Sequence, residues 1–139
     1  MSKTIYTAEV TSTGGRNGHV TSSDGIIDLK VRVPEGMGGE GKATNPEQLF
    51  AAGYAACFQS ALMVVAGKQH KRINPESTVK AHVDLLQHDN GGYGLAVKLQ
   101  VELKDMDKEE AQKLVDQAHQ VCPYSIGTRG NVEVQLEVV

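Results

Sequence analysis

The chain has no tryptophan, only two phenylalanines and four tyrosines in 139 residues, and a net charge of −3. Binding single-stranded nucleic acid takes aromatic stacking faces in a basic groove, and both are in short supply here. The lysines and arginines are dispersed and the pI is near 5.9, so no nucleic-acid partner is expected. Also lacking is an apolar run near the start: Met1 to Val10 mixes Lys3, Thr4, Tyr6 and Glu9 with scattered apolar residues. No secretory signal is read there, and the cytoplasm is the expected location. Cysteine is scarce as well, with two residues, Cys57 and Cys122, 65 positions apart. A chain of this length that is 40% hydrophobic can bury one core without covalent staples, so a single domain over 1–139 is expected.

Two thiols could staple a fold, hold a metal or form a redox pair. Zinc wants four ligands, and the five histidines (19, 70, 82, 88 and 119) form no HxxxH pair, nor do the cysteines form CxxC. His119 and Cys122 have helical i, i+3 spacing, but no metal is expected on that alone. Gly36-Met37-Gly38-Gly39-Glu40-Gly41-Lys42 satisfies G-x-G-x-x-G, yet Ala43 stands where a phosphate loop needs Ser or Thr, and Thr44-Asn45-Pro46 delays the helix. No nucleotide or other cofactor is expected, and the stretch reads as a mobile glycine loop. In a reducing compartment a disulfide is more often transient and catalytic than structural, which favours the redox pair.

Alternating polar and apolar residues predict half-solvated strands over Thr4–Thr11 and Ile26–Val33, with Gly14-Gly15, Asn17-Gly18 and Ser22-Ser23-Asp24-Gly25 as turns between them. Asn45-Pro46-Glu47 predicts a helix start. The helix runs to about Lys68 and is apolar nearly all round, so it should be buried. It is long enough to suggest a membrane span, but Gln59 and Ser60 at its middle and the half-solvated strands around it speak against one. A second hairpin, Thr78–His88 with Tyr93–Leu103, turns at Asp89-Asn90-Gly91-Gly92. A capped helix from Asp107 should end near Pro123, and a last strand spans Asn131–Val139. The order βββ-α-ββ-α-β is an α+β arrangement, read as antiparallel sheets around a long buried helix.

Cys57 lies in the apolar helix, where a cysteine is most often an inert small hydrophobe. Gly53, Tyr54, Ser60 and Ala61 on its face would admit a close neighbour. A reactive thiol needs a cation or dipole to favour its thiolate, and Arg16, isolated among glycines, is the candidate.

Gly14-Gly15-Arg16, Asn45-Pro46-Glu47-Gln48-Leu49-Phe50-Ala51-Ala52-Gly53-Tyr54-Ala55-Ala56-Cys57-Phe58 and Val121-Cys122-Pro123-Tyr124-Ser125 together resemble the organic hydroperoxide resistance proteins of the OsmC/Ohr family. The resemblance covers essentially the whole chain. It implies an OsmC-like fold and a thiol peroxidase, with Cys57 as the attacking cysteine and Cys122 as the resolving one. Arg16 matches the family's active-site arginine, and Glu47 the carboxylate that orients it. The implied partners are an organic hydroperoxide and a dithiol reductant, lipoyl rather than thioredoxin. One departure is Ile126-Gly127, where a more polar pair is expected.

Glu47 and Cys57 stand ten residues apart on one helix, roughly 15 Å along its axis and about 80° off the same face. A homodimer is therefore expected, intertwined so that Arg16 and Glu47 of one subunit meet the cysteines of the other. Two further readings stay open: an OsmC-type peroxidase of different substrate preference, and a non-catalytic dimeric ligand-binding domain with structural cysteines.

Overall fold

The computed structural model describes residues 2–139. Contacts divide the chain into two compact units, Met1–Leu49 and Phe50–Val139. In the first, β1 (Val10–Thr13), β2 (His19–Ser22) and β3 (Asp28–Lys30) form an antiparallel meander in chain order. Between β1 and β2, Gly14 and Gly15 take φ of 77° and 58°, and Gly15–Asn17 closes one 3₁₀ turn with Arg16 at its centre. A side chain would strain that left-handed backbone. The next turn is held by Asp24, whose Oδ1 accepts from Ser22 Oγ and from the Ile26 N–H.

The expected first strand begins late. Alternation predicts Thr4–Thr11, but pairing starts at Val10, and Ile5 and Tyr6 are 88% and 77% exposed. A strand needs a neighbour's backbone groups, and Thr4–Ala8 finds none among the described residues. The Ile26–Val33 segment likewise shortens to β3, with Val31 making a single bridge to Thr44. The glycine-rich stretch is a bonded turn rather than an open loop: the N–H groups of Gly38, Gly39 and Gly41 donate to Glu35, Pro34 and Val33 carbonyls.

Helix α1 (Pro46–Lys68) starts as expected, with Asn45 Oδ1 accepting from the Gln48 N–H at 2.8 Å. In the second unit it buries one stripe, Tyr54, Phe58, Ala61, Leu62, Val65 and Ala66, while Met63 and Val64 stay more than half exposed. A single chain therefore covers only one face of this nearly all-apolar helix. The rest of the core comes from Val97, Leu99 and Val101 of β5 (Tyr93–Glu102) and from Ala111, Leu114, Val115 and Ala118 of α2 (Lys108–Val121). Asp107 caps α2, its side chain accepting from the Glu110 N–H.

Strand β4 (Thr78–Gln87) pairs with β5 over ten residues in antiparallel register. The last strand, β6 (Glu133–Val138), pairs with β5 in parallel, which corrects the expectation of purely antiparallel sheets. Parallel neighbours need a crossover, and α2 supplies it together with α3 (Pro123–Thr128), a helix the sequence reading did not foresee. Pro123 ends α2 by withdrawing an N–H, but its fixed φ also suits the first position of a new helix. Cys122 is the hinge residue between the two, extended at φ −65° and ψ 123°.

Candidate active site

In the second unit, α1 and the α2–α3 corner bring the two cysteines together. The Cys122 Sγ donates to Cys57 Sγ at 3.8 Å, both thiols are free, Cys57 is half-buried and Cys122 is fully buried. A disulfide requires about 2.05 Å between sulfurs, so closure needs only a short approach. Burial pushes the Cys57 thiol above its ordinary range, the adjacent Cys122 sulfur adds to this, and the Tyr124 backbone N–H pulls the other way. Among the described residues no cation appears in that balance.

Gly53 has a specific task. A Cβ there would meet Tyr124 Oη at 2.6 Å and the ring behind it, so glycine lets the tyrosine of α3 lie on α1 one turn before Cys57. Tyr124 sits 5.5 Å from Tyr54 and 6.0 Å from Phe50 between ring centroids, and Tyr54 lies 6.5 Å from Phe58. Four of the six aromatic residues of an aromatic-poor chain thus gather beside the cysteines: Tyr54 and Phe58 are buried, and the partly exposed Phe50 and Tyr124 give the site an apolar wall.

Behind that wall runs a hydrogen-bonded chain that sequence reasoning missed. Tyr54 Oη and Ser125 Oγ are 2.7 Å apart and buried, and Ser125 Oγ is 2.8 Å from His119 Nδ1. Burial, and then the nearby Arg129 charge, lower the His119 pKa from its ordinary value against the pull of Asp116. The i, i+3 spacing of His119 and Cys122 was the available signal, read there in terms of zinc. The described residues contain no group of three or more His, Cys, Asp or Glu placed to share a metal ion. His19 pairs with Asp28, and His82 with Gln100.

In the first unit, Arg16 and Glu47 form a two-pronged ion pair, Nη1–Oε1 at 2.7 Å and Nη2–Oε2 at 3.0 Å. Such a fork fixes the guanidinium plane as well as its position. The Arg16 hydrogen bond holds the Glu47 carboxyl below its usual range, with burial opposing. A depressed carboxyl stabilises the fold above its unfolded pKa, about 4.3, and that contribution is lost as pH falls through the lower folded value. We therefore expect the Glu47 carboxyl carbon, followed by NMR, to titrate below an ordinary glutamate and to move upward in Arg16→Ala. An unchanged midpoint in the variant would show that the pair does not hold the carboxylate.

Residues 39–137 match the family described as OsmC-like protein. The organic hydroperoxide resistance protein OhrB of Bacillus subtilis is 49% identical over 135 residues, covering 96% of this chain and 98% of its own. The organic hydroperoxide resistance protein of Xanthomonas axonopodis pv. citri is 50% identical, covering 96% of this chain and 94% of its own. Among solved structures, an organic hydroperoxide resistance protein from Elizabethkingia anophelis superposes with a TM-score of 0.91 at 51% identity, covering 99% and 98% of the two chains.

Proposed function

Because the chain belongs to the OsmC/Ohr family of organic hydroperoxide resistance proteins, we propose that it is a thiol peroxidase reducing organic hydroperoxides to alcohols through Cys57 and Cys122. The observation that carries the reading is the pair of free sulfurs 3.8 Å apart, one half-exposed and one buried. In this mechanism the Cys57 thiolate attacks the terminal peroxide oxygen, the O–O bond breaks, and the alkoxide leaves and takes a proton to become the alcohol. Cys57 is left as a sulfenic acid. The Cys122 sulfur then attacks the Cys57 sulfur, a disulfide forms, and the sulfenic hydroxyl leaves with the thiol proton as water. An external dithiol resets the pair by exchange, and we take it to be lipoyl-bearing. The partly exposed rings of Phe50 and Tyr124 favour peroxides with apolar substituents over hydrogen peroxide. The cytoplasm is the matching location, since its reducing systems keep such a pair open between turnovers.

Arg16 and Glu47 complete the proposal as the thiolate-favouring cation and its anchor. Both belong to the family motifs, and the fork between them holds the guanidinium ready. Since α1 is unbroken from Pro46 to Lys68, Glu47 and Cys57 stay roughly 15 Å apart along it. We therefore place the site across a homodimer, the pair from one subunit serving the cysteines of its partner, within one OsmC/Ohr domain per chain. The apolar residues of α1 left exposed, Met63 and Val64 among them, also call for a cover.

One experiment addresses chemistry and arrangement together. Cumene hydroperoxide loss is followed with dihydrolipoamide as reductant for Arg16→Ala and Cys57→Ser homodimers, each expected to be nearly inactive, and for the mixture after subunit exchange. A shared site restores one good site per mixed dimer. No recovery after verified exchange would place both halves of the site in one chain, and no peroxide loss by the unsubstituted protein would leave a binding domain with structural cysteines.

A further inference from the structure

Ser125 is fully buried, and its hydroxyl carries two hydrogen bonds to different helices, to Tyr54 of α1 and His119 of α2. Each member of this chain stands three residues from a cysteine: Tyr54 before Cys57, His119 before Cys122, and Ser125 after Cys122. Three residues is close to one helical turn, so the Ser125 oxygen ties together the helix that carries Cys57 and the two helices that flank Cys122. The tie is reinforced where α3 ends: Thr128 Oγ1 donates to the Tyr124 carbonyl, and Arg129 Nη2 donates to the His119 carbonyl. A serine hydroxyl offers one proton and two lone pairs, so with neutral His119 accepting at Nδ1 and Tyr54 donating, every group in the chain is satisfied. Cys122 itself lies in the non-helical link between α2 and α3. Its sulfur would be free to swing if α3 were not held.

Resting on the peroxidase reading above, we infer that Tyr54, Ser125 and His119 are positioning residues for the resolving step, holding the α2–α3 corner on α1 so that Cys122 stays within reach of Cys57. None of the three touches the peroxide. Their work is to raise the effective concentration of one sulfur at the other, where a displacement of about 1 Å can cost a hundredfold in rate. The first oxidation of Cys57 does not need them, but closure of the disulfide does.

The test measures closure separately from peroxide chemistry. The effective molarity of the Cys57–Cys122 disulfide is read in glutathione redox buffers for the unsubstituted protein, Tyr54→Phe, Ser125→Ala and His119→Asn. In parallel, single-turnover cumene hydroperoxide reactions report sulfenic acid by dimedone trapping. Tyr54→Phe and Ser125→Ala should lower the effective molarity about ten- to a hundredfold and lengthen the sulfenic acid lifetime to match, with the rate of peroxide consumption in the first turnover unchanged. Combined in one chain they should cost little more than either alone, as residues of one network do. His119→Asn, which can still accept from Ser125, should stay close to the unsubstituted value. Tyr54→Phe keeps the ring and its packing, so it bears on the inference even if Ser125→Ala folds poorly. Unchanged effective molarity in folded Tyr54→Phe would overturn the inference, as would equal loss of the first oxidation step. If the glutathione titration behaves as described but no peroxide is consumed by any form, the positioning role stands and the peroxidase reading falls.

Discussion

Cys57→Ser should lower steady-state consumption of cumene hydroperoxide by at least about a thousandfold, because in the proposed cycle the substitution removes the sulfur that accepts the peroxide oxygen. A hydroxyl in the same place keeps the volume and the contacts with the surrounding wall but is far less nucleophilic. The fold should be unaffected, since Cys57 sits at the edge of the core while its neighbours Tyr54 and Phe58 are the buried anchors of α1. The measurement is the initial rate with dihydrolipoamide in excess, alongside a circular dichroism spectrum matching that of the unsubstituted protein. Residual turnover above a few per cent would move the attack to another group. With burial raising the thiol, the thiolate needs help, and the proposal assigns that help to a partner's arginine.

Cys122→Ser separates the two halves of the cycle. The first equivalent of peroxide should be consumed at nearly the unsubstituted rate, after which turnover falls to roughly a tenth or less as Cys57 stays a sulfenic acid. Further peroxide then carries Cys57 to the sulfinic acid, which the dithiol does not reverse. Intact mass measured against added peroxide should show one and then two added oxygens where the unsubstituted protein adds none. Sustained turnover without accumulation of the sulfenic acid would mean that the external dithiol resolves Cys57 directly and that Cys122 is dispensable.

How much of this was legible before the structure varied with the physics involved. The start of α1 at Asn45-Pro46 and the cap at Asp107 are local signals, settled by side chains reaching backbone groups three residues on, and they read true. The β4–β5 hairpin was equally local, written in alternation and a glycine-rich turn. The parallel docking of β6 was not, because alternation along Glu133–Val138 is the same whichever way the neighbour runs. Helix α3 escaped because a proline after a helix reads as a stop as readily as a start, and six residues are too few to show a helical period. Of the residues proposed for the site, the cysteines, Arg16 and Glu47 were visible chiefly through motif resemblance. The approach of the sulfurs and the Arg16–Glu47 fork are tertiary facts spanning 65 and 31 residues. The Tyr54–Ser125–His119 chain was invisible for the same reason: its members come from three helices, and only the His119–Cys122 spacing hinted at it. Gly53 was noticed as a small residue, but only Tyr124 lying against it explains why it must be small.

The most direct test of the account is a stoichiometric one. Fully reduced protein is mixed with a single equivalent of cumene hydroperoxide per chain without any reductant, and cumyl alcohol, free thiols and intact mass are measured together. The account predicts one alcohol formed per chain, both thiols lost, and a mass lower by two hydrogens, with peptide mapping joining Cys57 to Cys122. Peroxide left intact with both thiols still free would contradict it.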